Sequence, residues 1–385
     1  MMKVSDLPTP FYIVYLNRIE RNLRLIDDVS KRAGVKIIMA FKANALWKTF
    51  STVAKYCTAF TASSLNELRL GLEYLGQDAH SYCPAYTDAT IDEYLSGSTH
   101  LTFNSISQWE RFKDRLQAYN SSHPDKRVSP GLRVNPKCSV IETDLYNPAL
   151  PGSRFGASAD QLATLPDGLE GLHFHALCES TSYDLEKVLA AIEQQFGHLL
   201  DKIKWVNMGG GHLMTKEGYD TDHLVSLLKD FKSRHPNLEI ILEPGSAFMW
   251  RTGDLITSVV DTIENDGITT AIVDVSFACH MPDTLEMPYK PAITESIETT
   301  EGRPTYRLGG NSCLSGDYMG DWSFEKPLKI GDRLTLEDMN HYTTVKTTMF
   351  NGISHPAIAV ATSEQSDDCH VIREYTYDDY KNRMC

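Results

Sequence analysis

VKIIMAFKANA, residues 35–45, is an apolar, β-branched run that stops on Lys42 and then breaks into a polar turn. A lysine closing a buried strand holds its amine in a low dielectric, where desolvation disfavours the ammonium, lowers the pKa and makes the free amine a usable nucleophile. That is the environment a Schiff-base lysine needs. A lysine at a barrel mouth held in an ion pair would read the same way, so this stretch alone leaves both open.

Working outward from it, further short apolar runs follow at 58–62, 79–83, 100–103, 131–135, 170–175, 204–208 and 239–243. Amphipathic stretches lie between most of them; Leu65, Leu68, Leu72 and Leu75, for example, recur at helical spacing. Eight strands with helical crossovers over roughly 240 residues are the arithmetic of a (β/α)8, TIM-like barrel. A doubly wound sheet competes but seldom needs eight even units. After Glu243-Pro244-Gly245 the helical period fades, and β-rich runs appear at 255–260, 269–275, 304–308, 333–336 and 357–361. The expected organisation is α/β plus all-β: a barrel over 17–245, and a β-barrel or sandwich domain from 246–385 with 1–16, whose run FYIVYL would pair into it.

Composition narrows the function. A chain of 385 residues exceeds what one core usually serves, and its apolar runs are too short to span a bilayer. The start MMKVSDLPTP has no apolar signal core, and eight scattered cysteines without CxxC pairs suit reduced thiols, so a cytoplasmic location is expected. A net charge of −14 argues against nucleic acid and favours a small cationic ligand.

In such a barrel the chemistry belongs at the strand ends, which here are Lys42, Ser63, Arg133, Asn135, His173, His175, Gly209 to Gly211 with His212, and Glu243. Gly209-Gly210-Gly211 directly after a strand lets backbone N–H groups approach an anion such as phosphate, although a tight connection explains it equally well. Glu243-Pro244-Gly245-Ser246 adds a second such turn one strand on. His173 and His175 alternate along one strand and so face the same side. Paired histidines can begin a metal-dependent hydrolase site, but no HxH ends the first strand and no Asp ends the last. His175 could instead stack on a flat cofactor. Together these features describe a pyridoxal 5'-phosphate pocket with no metal.

The ordered set TPFYIVY, MAFKANA, HFHALCE, NMGGGH, EPGSAF, GGNSCLSGD and YTTVKTTMFNG resembles the alanine-racemase-fold (fold type III) pyridoxal phosphate-dependent decarboxylases of basic amino acids. FKANALWK and NSCLSGD make it similar to the branch acting on carboxynorspermidine or carboxyspermidine in polyamine biosynthesis. The resemblance implies that Lys42 carries the cofactor, His175 stacks on its ring and Glu243 keeps the ring nitrogen protonated. It implies that Gly209, Gly210, Gly211, Gly245, Ser246 and Tyr342 hold the phosphate, and that Arg133 makes a supporting salt bridge. Cys313 would return a proton to the α-carbon and Asp317 would pair with a substrate amine, from a segment reaching the neighbouring subunit of a homodimer with shared active sites. His280 and Asp283, in FACHMPD, would line the distal pocket, or else sit in a plain hairpin. Other basic amino acid decarboxylases, a metal-dependent hydrolase and a non-catalytic relative are the alternatives.

Overall fold

The computed structural model describes residues 2–385, which form two compact units: Glu20–Phe248, and the chain up to Ile19 together with Met249–Cys385. No helix among the described residues is long and apolar enough to cross a membrane.

The first unit is the (β/α)8 barrel. Its first strand is interrupted at Ile38 into Lys36–Ile37 and Met39–Ala40, and these halves close the ring. Lys36–Ile37 pairs with the last strand, Glu239–Leu242, and Met39–Ala40 with the second, Ala59–Ala62. Between them stand Asp78–Tyr82, His100–Phe103, Ser129–Arg133, Gly171–His173 and Trp205–Asn207, each parallel to its neighbours. The crossing helices start where the sequence supplies a cap. The side chains of Ser64, Ser105, Thr181 and Asp220 accept from backbone N–H groups three residues on, a contact whose loss typically costs about 1 kcal/mol. In the helix Leu65–Tyr74 the face carrying Leu68 and Gly71 is buried.

Register fixes which side chains share a layer inside the barrel. Gly131, Gly171 and Trp205 are adjacent in the ladder. The Trp205 indole fills the space that the two glycines leave, since a β-carbon at either would collide with its ring. Its Nε1–H donates to Ser129 Oγ at 2.8 Å, so the indole is both packed and satisfied. Two residues further along each strand, the same inward parity presents Arg133, His173 and Asn207.

The second unit is a ten-stranded mixed sheet. Phe11–Tyr15 lies inside it, parallel to Ala357–Ala361 and antiparallel to Gly253–Asn265. The five runs read from the sequence appear as Gly253–Asn265, Ile268–Val273, Thr305–Gly309, Arg333–Leu336 and Ala357–Ala361. Tyr318–Phe324, Asp368–Arg373 and two short edge pieces join them unforeseen. Tyr318–Phe324 contains Gly320 at φ +70°, which breaks the alternation a strand normally shows.

Gly171→Ala should drive a methyl into the fully packed Trp205 ring and lower stability by about 1–3 kcal/mol. Urea unfolding of the variant checks this, with tryptophan fluorescence reporting the ring's displacement.

Candidate active site

The inward parity of the barrel strands converges on a cavity of about 790 Å³ at their C-terminal ends. Lys42, Tyr82, Arg133, His173, His175 and Glu243 all line it. Each ends a barrel strand or follows it within two residues, where function is expected in this architecture.

Lys42 Nζ lies 3.2 Å from His175 Nε2. The other ring nitrogen, Nδ1, accepts the Gly210 backbone N–H at 3.1 Å, which leaves it no room for a proton of its own. Burial, together with the Lys42 and Arg133 charges, pushes the His175 pKa well below its ordinary value, so the ring is neutral. Assigned from these partners, its single proton sits on Nε2 and points at Lys42. Only an uncharged amine can accept it. Burial also lowers the Lys42 pKa, and Arg133 adds to the effect while Glu243 opposes it. The amine is solvent-reachable through the cavity but enclosed by protein on its other sides, as a nucleophilic lysine must be.

Glu243 faces the same cavity from the last strand. Burial alone would raise its pKa, but His173, Asn207 and Lys42 outweigh that and hold the carboxyl well below the usual carboxylate range. His173 Nε2 lies 3.1 Å from Oε1, and Asn207 Nδ2 donates to Oε2 at 3.0 Å. Burial keeps the His173 pKa low, so this ring donates as a neutral group. Asn207 escaped the sequence reading, although it too ends a barrel strand. The salt bridge expected at Arg133 is not formed: among the described residues no carboxylate lies within 4.0 Å of it. Its guanidinium instead lies over the Tyr82 and Phe155 rings, 4.7 and 4.4 Å from their centroids, and donates to His175 O at 3.3 Å. Planar stacking satisfies a buried guanidinium without a counter-charge.

Residues 14–340 match the family described as pyridoxal-dependent decarboxylase, C-terminal sheet domain. The chain belongs to the pyridoxal-dependent decarboxylase family. It is 43% identical over 383 residues to the carboxyaminopropylagmatine decarboxylase of Synechocystis, covering 99% of this chain and 97% of that one. It is 38% identical to the carboxynorspermidine/carboxyspermidine decarboxylase of Campylobacter jejuni, covering 99% and 100%. The crystal structure of carboxynorspermidine decarboxylase complexed with norspermidine, also from Campylobacter jejuni, superposes with a TM-score of 0.87 at 37% identity, covering 98% of this chain and 100% of that one.

For a pyridoxal-dependent decarboxylase the glycine turns are the test of cofactor fit. The Gly209 N–H is committed to Asn207 Oδ1 and the Gly210 N–H to His175. A β-carbon at any of Gly209, Gly210 or Gly211 would strike a backbone oxygen, so the triplet serves close packing first. Among the described residues the amides of Gly211, Gly245 and Ser246 meet no protein acceptor, and these suit a phosphate. The residues present therefore fit the cofactor, with fewer glycine donors than the sequence suggested. The Nε2 atoms of His173 and His175 are engaged by Glu243 and Lys42. Asp78, His80 and His100 do bring ligand atoms within 4.8 Å of one another. Lys36 Nζ already supplies a cation there, 2.7 Å from Asp78 and 3.1 Å from His80.

The remaining sequence candidates belong to the sheet unit. Cys313 is exposed, its N–H donating to Asn351 Oδ1 at 2.8 Å. Asp317 is 4% exposed and braces its own loop, accepting from Ala278 N at 2.9 Å and Ser312 N at 3.1 Å. His280 has no exposed surface, and its Nδ1 accepts from Ser276 N at 3.1 Å, so it packs in the core of this unit. Asp283 pairs with Lys346 at 2.8 Å. Tyr342 adopts a left-handed backbone, φ 56°, before the helical turn Thr343–Lys346.

Because folding lowers the Glu243 pKa, its ionised form stabilises the native state above the unfolded value of 4.5, and that contribution fades as pH falls towards about 2. The stability difference between the native chain and Glu243→Gln should therefore shrink steadily as pH drops below about 5. Urea titrations across that range measure it; a constant difference would remove the ionised carboxylate from the account.

Proposed function

We propose that this chain decarboxylates carboxynorspermidine, carboxyspermidine or a closely similar carboxylated polyamine, using pyridoxal 5'-phosphate held at Lys42. The observation that carries the reading is the Lys42 amine, its pKa lowered by burial, and the Glu243 carboxylate facing one cavity. Similarity along nearly the full length to relatives named for such substrates supports it. When bound, the cofactor's ring accepts the electron pair left behind as CO2 departs.

The chain's own residues do the rest. Lys42 Nζ would hold the cofactor, and whenever its amine is free it would be placed to take up or return a proton. Glu243 keeps a proton on the ring nitrogen, because a buried carboxylate raises the pKa of its partner. His173 and Asn207 fix that carboxylate so that it cannot turn away. His175 offers its ring face, held flat by Gly210. The amides of Gly211, Gly245 and Ser246 hold the phosphate. The proposal includes a cytoplasmic homodimer, the exposed Cys313 thiol as the acid returning a proton to the reacting carbon, Tyr342 as a further phosphate contact, and Asp283 in the lining of the distal pocket.

CO2 release from carboxynorspermidine, carboxyspermidine, carboxyaminopropylagmatine, ornithine, lysine, arginine and diaminopimelate tests the reading. Carboxylated polyamines should lead the amino acids by a hundredfold or more, and Lys42→Ala should abolish release and the visible absorbance together. The two carboxylated triamines differ by one methylene and should be separated by no more than roughly 10- to 200-fold. Turnover confined to ornithine or diaminopimelate would refute the assignment.

A further inference from the structure

The cavity carries charged side chains beyond those that the reaction itself uses. Besides the Lys42 amine, four charged side chains line it: Arg133 and Arg154 are cationic, Glu243 and Asp144 anionic. Glu243 is committed to His173 and Asn207. Asp144 makes no ion pair and no side-chain hydrogen bond among the described residues. It is exposed, and it opens the 3-10 turn Asp144–Tyr146 in the segment joining the fifth and sixth barrel strands.

That segment is a built wall. Its base is closed by the Val134–Ala157 bridge, and Asn135 Nδ2 donates to Phe155 O at 3.1 Å. Asn147 Nδ2 donates to Ile141 O at 3.2 Å, and Ser153 Oγ to Pro148 O at 2.6 Å, fixing both flanks of the turn. Asn104 Nδ2 ties Arg154 O to the barrel at 2.8 Å. Leu145, Pro148 and Leu150 of the same wall face the cavity, and Leu145 is 68% exposed. An apolar strip with an unpaired carboxylate on it complements a chain of methylenes ending in a cation.

The geometry points to Asp144 as a specificity residue that receives the distal cation of the substrate, ammonium or guanidinium. The inference rests on the proposed reaction, since it assumes the reacting end sits at Lys42. The substrate's aliphatic chain then lies along Leu145 and Leu150, and its charge meets the one lining carboxylate left without a partner. A short amino acid held at Lys42 gains nothing from this wall.

Calorimetric titration of the pyridoxal phosphate-loaded protein tests it, with norspermidine and aminopropylagmatine as probes and propylamine, which has no distal cation, as control. Asp144→Asn should weaken one or both probes about tenfold, the size of a charge-assisted hydrogen bond, with propylamine unchanged and Asp144→Glu partly restoring affinity. A loss confined to one probe names the end group recognised. Equal affinities in the native chain and Asp144→Asn would overturn the assignment. Binding is read without turnover, so a protein releasing no CO2 from any carboxylated polyamine would refute the reaction while leaving this result to stand.

Discussion

One backbone hydrogen bond governs the chemistry of this site. The Gly210 N–H, aimed at His175 Nδ1, assigns the imidazole proton to Nε2, and Nε2 faces Lys42. A charged lysine would set donor against donor, so the amine is kept free by geometry as well as by burial. The bond exists because Gly210 has no side chain: a β-carbon there would meet Glu243 O. The turn that follows the seventh barrel strand thus also sets the protonation state of the lysine that follows the first.

The barrel's two-residue period extends this control. Gly131 and Gly171 make room for Trp205, and one step up the same strands Arg133, His173 and Asn207 appear in register. A filled apolar and aromatic layer therefore lies directly beneath a polar one. Glu243 can stay ionised there only because that polar layer donates two hydrogen bonds to it. Removing either donor leaves a buried charge short of a partner, which is more costly than never having formed the pair.

Much of this was legible in the sequence. All eight barrel strands follow from apolar runs and their spacing, because a parallel strand buried on both faces writes itself as a largely apolar run. Reading the strand ends found Lys42, His173, His175 and Glu243 for the same reason. What stayed hidden depends on contacts between distant segments. Nothing near Arg133 in the sequence announces Tyr82 and Phe155, whose rings replace the salt bridge expected for it. The triplet Gly209–Gly211 reads as a phosphate loop, yet two of its amides turn inward to Asn207 and His175. The resemblance made Asp317 a substrate contact and His280 was expected in the distal pocket, whereas one braces a loop and the other is wholly buried.

The central claim is that Lys42, rather than any other of the chain's lysines, presents the reactive amine. Reduction of the pyridoxal phosphate-loaded protein with borohydride, followed by peptide mapping, asks this directly. The account predicts one phosphopyridoxyl group per chain on the peptide containing Lys42. A label on Lys36, at the opposite end of the same strand, or spread over surface lysines with Lys42 unmodified, would contradict it.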